Sequence, residues 1–255
     1  MQEISTSFGN RRLAMLIDGD NAQPALIEKM VAEASKYGLV TIRRVYGDWT
    51  TPQMKSWKEE LSAHAIQPIQ QFQNTIGKNA TDSALIIDAM DILYEGNVNG
   101  FCLVSSDSDY TRLATRIREK GLFVMGIGQK TTPRAFVNGC EVFVYTQNLI
   151  TEIHETKPAH PSREEAHANG DTLTDPLPLL KSAFDMAVQE DGWAFLGTVG
   201  GNLHRLDPSF DVRTYGHKQL RQLINVYKNT FEVRVEKSRS GPSLIYVKLK
   251  EESGQ

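Results

Sequence analysis

Asp107 and Asp109 stand where an apolar run, FCLVSS, gives way to an arginine-rich helical pattern, YTRLATRIREKG. Asp18 follows the apolar run LAMLI in the same way, and Asp48 follows TIRRVYG. Asp82 opens a further helical pattern, ATDSALIIDAMDILYEG. Any one of these acids is ordinary as a helix cap, since a carboxylate accepts from the unpaired N–H groups of a first turn and is favoured by the helix dipole. Several on one sheet edge ask for another reason. Two carboxylates ~4 Å apart repel by roughly 4 kcal/mol at an effective dielectric of ~20, so a cluster needs protons or cations to neutralise it. No His lies in these motifs, and their one Cys, Cys102, sits inside the apolar run FCLVSS. An all-oxygen donor set suits hard cations such as Mg2+ or Mn2+, which activate water and stabilise charge on a phosphoryl oxygen.

The elements that must position these acids alternate. RLAMLI, LVTIRRVYG, IQPIQQF, FCLVSS, LFVMGIG and EVFVYT read as strands. Between them PALIEKMVAEASKYG, QMKSWKEELSAHA, ATDSALIIDAMDILYEG and YTRLATRIREKG read as helices, with Pro24 as a start signal and Gly38, Gly96 and Gly121 as stops. Strands alternating with helices predict an α/β fold: a mostly parallel, Rossmann-like sheet with helices on both faces. In such sheets, sites form at the carboxyl edge where strand order reverses. With the order 3-2-1-4-5, the strands ending at Asp18 and near Asp107 are neighbours. The expected arrangement has Asp18, Asp82 and Asp107 converging in a cleft, Asp48 and Asp109 at its margin, and at least one carboxyl titrating high through mutual repulsion.

The second half reads differently. HETKPAHPSREEAHANGDTLTDP is nearly devoid of apolar residues and predicts a linker, in which His154, His160 and His167 are solvated polarity rather than a metal site. Residues 151–175 carry two Lys/Arg against six Asp/Glu, and residues 176–255 carry eleven against nine. Beyond the linker come three short helical patterns and a hairpin, FEVRVEKSRSGPSLIYVKLK, which together describe a small winged helix-turn-helix domain. At ~100° per residue, Leu220, Leu223, Ile224 and Tyr227 share one face, while Lys218, Arg221 and Lys228 form a stripe beside it. Arg234, Lys237 and Arg239 in the hairpin extend the cationic side toward phosphates. Trp193 and Phe195 of DGWAF are expected to pack in the core.

Several classes are excluded. The overall balance of 28 Lys/Arg against 31 Asp/Glu identifies no partner. No apolar run approaches the ~20 residues that span a bilayer, and the N-terminus lacks a signal-peptide core, so a cytoplasmic protein with no membrane association is expected. Cys102 and Cys140 sit in apolar runs and read as buried thiols. Asp18-Gly-Asp20 and Asp107-Ser-Asp109 begin like calcium loops but lack Gly at the sixth and Glu at the twelfth position, where Gln23, Lys29, Arg112 and Arg118 stand. No G-x-x-x-x-G-K-[ST] occurs. Asp18-Gly-Asp20 also resembles the nucleophile motif of haloacid-dehalogenase-type phosphatases, but no convincing later lysine motif accompanies it.

LIDGDNA, KNATDSALIIDAMD and LVSSDSDYTRLATRIREKG resemble the signature blocks of the NYN domain, a PIN-like nuclease family, over residues 12–150. The resemblance implies a cluster of Asp side chains, one or two divalent cations and RNA hydrolysis. Carried over, it gives Asp18 and Asn21 from the first block, Asp82 from the second, and Asp107 and Asp109 from the third. Asp48 falls where some members carry another acid, and Lys78 matches the second block's lysine, where it is expected either to meet a phosphate or to stand solvated at the surface. DGWAFLGTVG and YGHKQLRQLI are similar to blocks of the LOTUS, or OST-HTH, domain, a winged helix linked to RNA binding and, in some members, to protein partners.

The organisation expected is a tail (1–11), a nuclease domain (12–150), an acidic linker (151–175), a winged-helix domain (176–250) and a short tail (251–255). The function expected is a metal-dependent endoribonuclease in which Asp18, Asp48, Asp82, Asp107 and Asp109 hold Mg2+ or Mn2+ and Asn21 hydrogen-bonds a ligand carboxylate or a phosphate. The alternatives are a non-catalytic RNA-binding regulator and, more weakly, a small-molecule phosphatase.

Overall fold

The computed structural model describes residues 11–72, 80–150, 175–236 and 243–250. Lys78, Lys237, Arg239, the three linker histidines and both tails lie outside the described residues. The chain divides into two compact units, Met1–Ile150 and Thr151–Gln255.

In the first unit, strands β1 (Arg12–Asp18), β2 (Leu39–Gly47), β3 (Gln67–Gln70), β4 (Gly100–Val104), β5 (Phe123–Gly128) and β6 (Val142–Tyr145) form one sheet. Its order is β3-β2-β1-β4-β5-β6, and every pairing is parallel. The chain winds outward one way from β1 through β2 and β3, then returns to β1's other side with β4. Strand order therefore reverses between β1 and β4, and the crevice of the sheet opens there.

Burial explains why these runs become central strands. Leu13 to Asp18 of β1 and all of β4 are buried, as expected where helices cover both faces. Alternation along β1 sorts its side chains into two cores. Leu13, Met15 and Ile17 pack with Ile27, Met30 and Ala34 of α1 (Ile27–Ser35), Trp57 of α2 (Trp57–Ala63) and Leu149 of α6 (Thr146–Ile150). Ala14 and Leu16 pack with Leu85, Ala89 and Ile92 of α3 (Ala80–Glu95), Leu113 and Ile117 of α4 (Thr111–Glu119), and Phe136 of α5 (Arg134–Gly139). Cys102 and Cys140 are buried and free, and burial pushes both thiols up.

Two of the three glycines read as stops take the left-handed conformation, Gly96 and Gly121 at φ of +70° and +76°, just past α3 and α4, while Gly38 lies beyond the end of α1 without it. Two helical patterns are shorter than they read. Pro24–Leu26 and Pro52–Ser56 form 3-10 turns before α1 and α2 begin, because proline sets the first turn's φ but donates no N–H. α5 went unread, being a six-residue helix with too little length for a periodic signal.

The second unit has helices α7 (Leu177–Asp185), α8 (Leu196–Leu206) and α9 (Leu220–Val226). Strands β7 (Ala194–Phe195), β8 (Phe231–Glu236) and β9 (Leu244–Leu249) form an antiparallel sheet in the order β7-β9-β8. Leu180, Phe184, Val199, Leu203, Leu223, Ile224, Phe231 and Val247 make its core. This is a winged-helix arrangement, with β7 as a third strand that two residues could not announce. Ala194 and Val247, paired across β7 and β9, face the core, so Trp193, Phe195 and Tyr246 face outward and are partly exposed. Trp193 and Phe195 thus lie on the outer side of the sheet and not in the core, as strand alternation requires.

Candidate active site

Asp18 ends β1, and β4 lies beside it in register from Leu13–Gly100 to Ile17–Val104. The loop leaving β4 therefore begins at Ser105, next to Asp18. Ser105 Oγ donates to Asp18 Oδ2 at 3.0 Å and accepts from the Asp107 backbone N–H at 3.1 Å. One hydroxyl thus ties the end of β1 to the turn that carries Asp107 and Asp109. Asn21 Nδ2 donates to the same Asp18 oxygen at 2.6 Å, and the Asp20 N–H donates to the other at 3.1 Å. Asp18 is only 1% exposed. Burial raises its pKa first of all; the hydrogen bonds from Asn21 and Ser105 oppose this, and the charge of Asp82 adds to it.

Gly19, between Asp18 and Asp20, permits this tight exit. Its N–H donates to the Tyr46 carbonyl at 2.9 Å, and a Cβ there would stand 2.7 Å from that oxygen.

The third block folds as a short 3-10 turn, Ser108–Tyr110, leading into α4. Asp107 caps it, accepting from the Asp109 N–H at 2.9 Å. The capping reading and the site reading coexist in one residue, since one carboxylate oxygen caps and the other is left for a ligand. Asp82 stands in the first turn of α3 and accepts from the Tyr110 hydroxyl at 2.6 Å. One carboxylate oxygen from each of Asp82, Asp107 and Asp109 lies within 4.8 Å of the others. Burial is the main cause raising the Asp82 pKa, followed after the opposing Tyr110 bond by the charges of Asp107, Asp109 and Asp20. A divalent cation with oxygen bonds of ~2.1 Å would replace that repulsion with attraction after small side-chain rotations.

The structure thus gathers Asp82, Asp107 and Asp109, with Asp18 buried beside them and both of its oxygens hydrogen-bonded. Asp109 stands within the group rather than at its margin, because the 3-10 turn brings it round beside Asp107. Asp48 lies apart from these three carboxylates. Its Oδ1 accepts from Thr50 N at 3.1 Å, Thr50 Oγ1 at 2.6 Å and Gln70 Nε2 at 3.0 Å, which pins the exit of β2 to the exit of β3. Ser105 and Tyr110 were not singled out from the sequence, although both lie inside the third block. Asp20 was also passed over; its carboxylate accepts from Thr81 Oγ1 at 3.1 Å, beside Asp82. A hydroxyl directly following a clustered acid was a signal for Tyr110, whereas Ser105 stands two residues before Asp107 and carried none.

In the second unit, Lys218, Arg221 and Lys228 are exposed, while Leu223 and Ile224 are buried. Arg234 is held differently. Its guanidinium lies 4.5 Å from the Trp193 ring centre and 5.4 Å from that of Tyr246, and it pairs with Glu236 at 2.9 Å.

The NYN domain model matches residues 12–150, the whole of the six-stranded unit. The chain belongs to the NYN domain family. The OST-HTH/LOTUS domain model follows it at residues 172–242. Among individual proteins, an uncharacterized protein of Methanocaldococcus jannaschii is 25% identical over 124 residues, 47% of this chain and 48% of its own length. The chain thus spans about half the length of the curated relative it matches. Two solved structures are similar: a protein of unknown function from Vibrio parahaemolyticus and an uncharacterized protein from Nitrosomonas europaea. The first is 20% identical, covering 57% of this chain and 96% of that one at a TM-score of 0.46. The second is 26% identical, covering 40% and 97% at a TM-score of 0.30. No helix among the described residues is long and apolar enough to cross a membrane.

Proposed function

We propose that this NYN protein is a divalent-metal-dependent endoribonuclease whose LOTUS unit helps to hold the RNA. The observation that carries the reading is the convergence of the Asp82, Asp107 and Asp109 carboxylates within 4.8 Å at the carboxyl edge of a parallel sheet. A protein that only bound phosphates would gain nothing from gathered negative charge; a hydrolase that holds a cation does. The donors are all hard oxygens, which suits Mg2+ or Mn2+. Asp82, Asp107 and Asp109 would hold the ion, with Asp18 adding its charge from beneath. When bound, the ion supplies an activated water and stabilises charge on the phosphoryl oxygens.

The chain's own residues set up that chemistry. Tyr110 fixes the orientation of Asp82, and Ser105 fixes the backbone that presents Asp107. Asn21 orients Asp18, and its exposed position also lets it meet a phosphate. In the LOTUS unit, Lys218, Arg221 and Lys228 supply sequence-independent attraction to the RNA backbone.

The test is to incubate the purified protein with single-stranded and structured RNAs in Mn2+, Mg2+ or EDTA. Internal cleavage that requires added metal is expected. RNA binding without cleavage under any of these conditions would turn the assignment to a non-catalytic RNA-binding regulator.

A further inference from the structure

The acid cluster leaves unexplained the arginine-rich helix that springs from it. Leu113, Ala114 and Ile117 of α4 are buried, while Arg112, Arg116 and Lys120 at spacings of four are exposed. At ~100° per residue this makes a slowly turning stripe along the outer side of the helix. Arg112 lies three residues after Asp109, so the stripe starts at the acids. It ends ~16 Å away, at 1.5 Å of rise per residue.

α3 runs alongside. Asp82, near its start, stands in the acid cluster, and Tyr94, near its end, meets α4's last turn. The Tyr94 hydroxyl accepts from Arg116 Nη2 at 3.5 Å, and Lys120 Nζ lies 5.8 Å from the Tyr94 ring centre. Tyr94 is 67% exposed, and the two cations draw its hydroxyl pKa down. Both helices therefore lead from the acids to an open aromatic ring flanked by positive charge.

Helix energetics account for only part of this. Cations near a helix C-terminus are favoured by its dipole, but one in the first turn, where Arg112 stands, is disfavoured. Arg118 is turned aside, donating to the Asn138 and Gly139 carbonyls at 3.1 and 3.4 Å. Glu119 is the one acid of α4; it is paired with Arg116 at 3.3 Å. Asp91 of α3 is also exposed.

We propose that this face of α3 and α4 is the path of a single RNA strand leaving the acid cluster, with Arg112, Arg116 and Lys120 taking successive phosphates and the Tyr94 ring stacking a base. The inference rests on the nuclease reading for its direction. A single strand is the occupant because it offers phosphates and open base faces together, whereas a duplex keeps its bases stacked inside.

The experiment uses the full chain and a short unstructured RNA labelled with fluorescein. Its binding in EDTA is followed by anisotropy across a salt series. The combined variant Arg112→Gln, Arg116→Gln, Lys120→Gln should flatten the log–log salt slope by about 2, at ~0.7 per lost single-strand phosphate contact. Tyr94→Ala should weaken binding about tenfold, and Tyr94→Trp should restore it. With Mn2+, the combined variant should raise KM for the oligonucleotide, while Arg116→Gln with Lys120→Gln should leave hydrolysis of bis(4-nitrophenyl) phosphate, too small to reach α4's far end, unchanged. Melting temperatures should hold, since all four side chains are exposed. An unchanged salt slope and normal binding by Tyr94→Ala would overturn the path and return the face to solvent or to a protein partner, leaving the nuclease reading intact. Conversely, wild-type protein that hydrolyses neither substrate removes the nuclease reading, while the binding data still decide the path.

Discussion

The edge of the six-stranded sheet and the cationic side of the LOTUS unit hold charge by different means. At the sheet edge, three of the acids are organised by a neighbour: Asp18 by Asn21 and Ser105, Asp82 by Tyr110, Asp107 by the turn it caps. Like charges are brought together at an energetic cost that these donors partly offset. In the LOTUS unit, Lys218, Arg221 and Lys228 are exposed on or beside α9, and their positive charges are spread along it. The contrast separates two kinds of charged site. One is preorganised, depends on single atoms and breaks when one group is removed. The other is a diffuse field that weakens in steps.

The largest expected difference follows from that distinction. Asp107→Asn should lower metal-dependent RNA cleavage by more than about 100-fold, as loss of a ligand charge removes the ion or its poise. The fold should persist, because Asn retains the capping oxygen for the Asp109 N–H. Single-turnover cleavage and circular dichroism measure the two halves. Full activity in Asp107→Asn would reduce the cluster to a set of helix caps.

Next come the hydroxyls beneath the acids. Tyr110→Phe and Ser105→Ala remove no charge, yet each frees a carboxylate or loop that a ligand set requires in place. Groups of this kind typically contribute ~10–100-fold in metal affinity or activity. Mn2+ titrations read by calorimetry should show weakened binding for both variants, whereas equivalent removal of a hydroxyl in the LOTUS unit should leave it unchanged.

Much of this arrangement was legible in the sequence, and the limits have physical causes. The alternating apolar runs gave a parallel sheet, and the carboxyl ends of those runs located Asp18 and Asp107 because strand direction and topology alone decide where a parallel sheet opens. Asp109 depended on one 3-10 turn, whose three residues leave no periodic trace. Asp48 occupies an equivalent place in the sequence pattern, but β2 and β3 lie on the far side of β1 from β4, and strand adjacency is a long-range property. Ser105 and Tyr110 act through the geometry of single hydrogen bonds, which spacing does not encode. Trp193 and Phe195 were expected inside because large rings usually are; the two-residue strand β7 turns them outward.

A moderate effect is expected from pH and metal together. Burial raises the pKa of both Asp18 and Asp82 above the ordinary carboxylate value. Such a group holds its proton more tightly in the folded than in the unfolded chain. Between the ordinary and the raised pKa, stability therefore falls as pH rises and is recovered on acidification. In EDTA, these two acids should make the first unit melt higher as pH is lowered through that window, above the onset of general acid unfolding. Saturating Mn2+ should raise the melting temperature at neutral pH, with about 2.7 kcal/mol of added stability at 100 times the dissociation constant, and Asp82→Asn should weaken that metal response and lose part of the acid-side gain. A melting temperature that is flat with pH and unmoved by metal would leave the acids without the coupling described.

The smallest effects fall in the LOTUS unit, where they also separate two kinds of cation. Lys218→Glu with Arg221→Glu reverses two exposed charges off the apolar face of α9. RNA affinity should drop several-fold and the salt dependence should flatten, since each lost phosphate contact releases fewer counterions. Arg234 was grouped with these residues on the strength of its charge, yet its guanidinium lies against Trp193 and Tyr246 and is paired with Glu236. An exposed cation–π contact contributes about 0.5–1 kcal/mol, and the surface ion pair adds little. Arg234→Ala should therefore lower the stability of the second unit by that modest amount, read as a small shift in its urea midpoint, and leave the salt slope of RNA binding unchanged. Arg234→Lys should recover only part of the loss, because an ammonium lacks the planar face that lies over the indole. A salt slope that flattens in Arg234→Ala as much as in the double reversal would mean that the stacked guanidinium still meets phosphate, and that the outer face of the β7-β9-β8 sheet belongs to the RNA-binding surface after all.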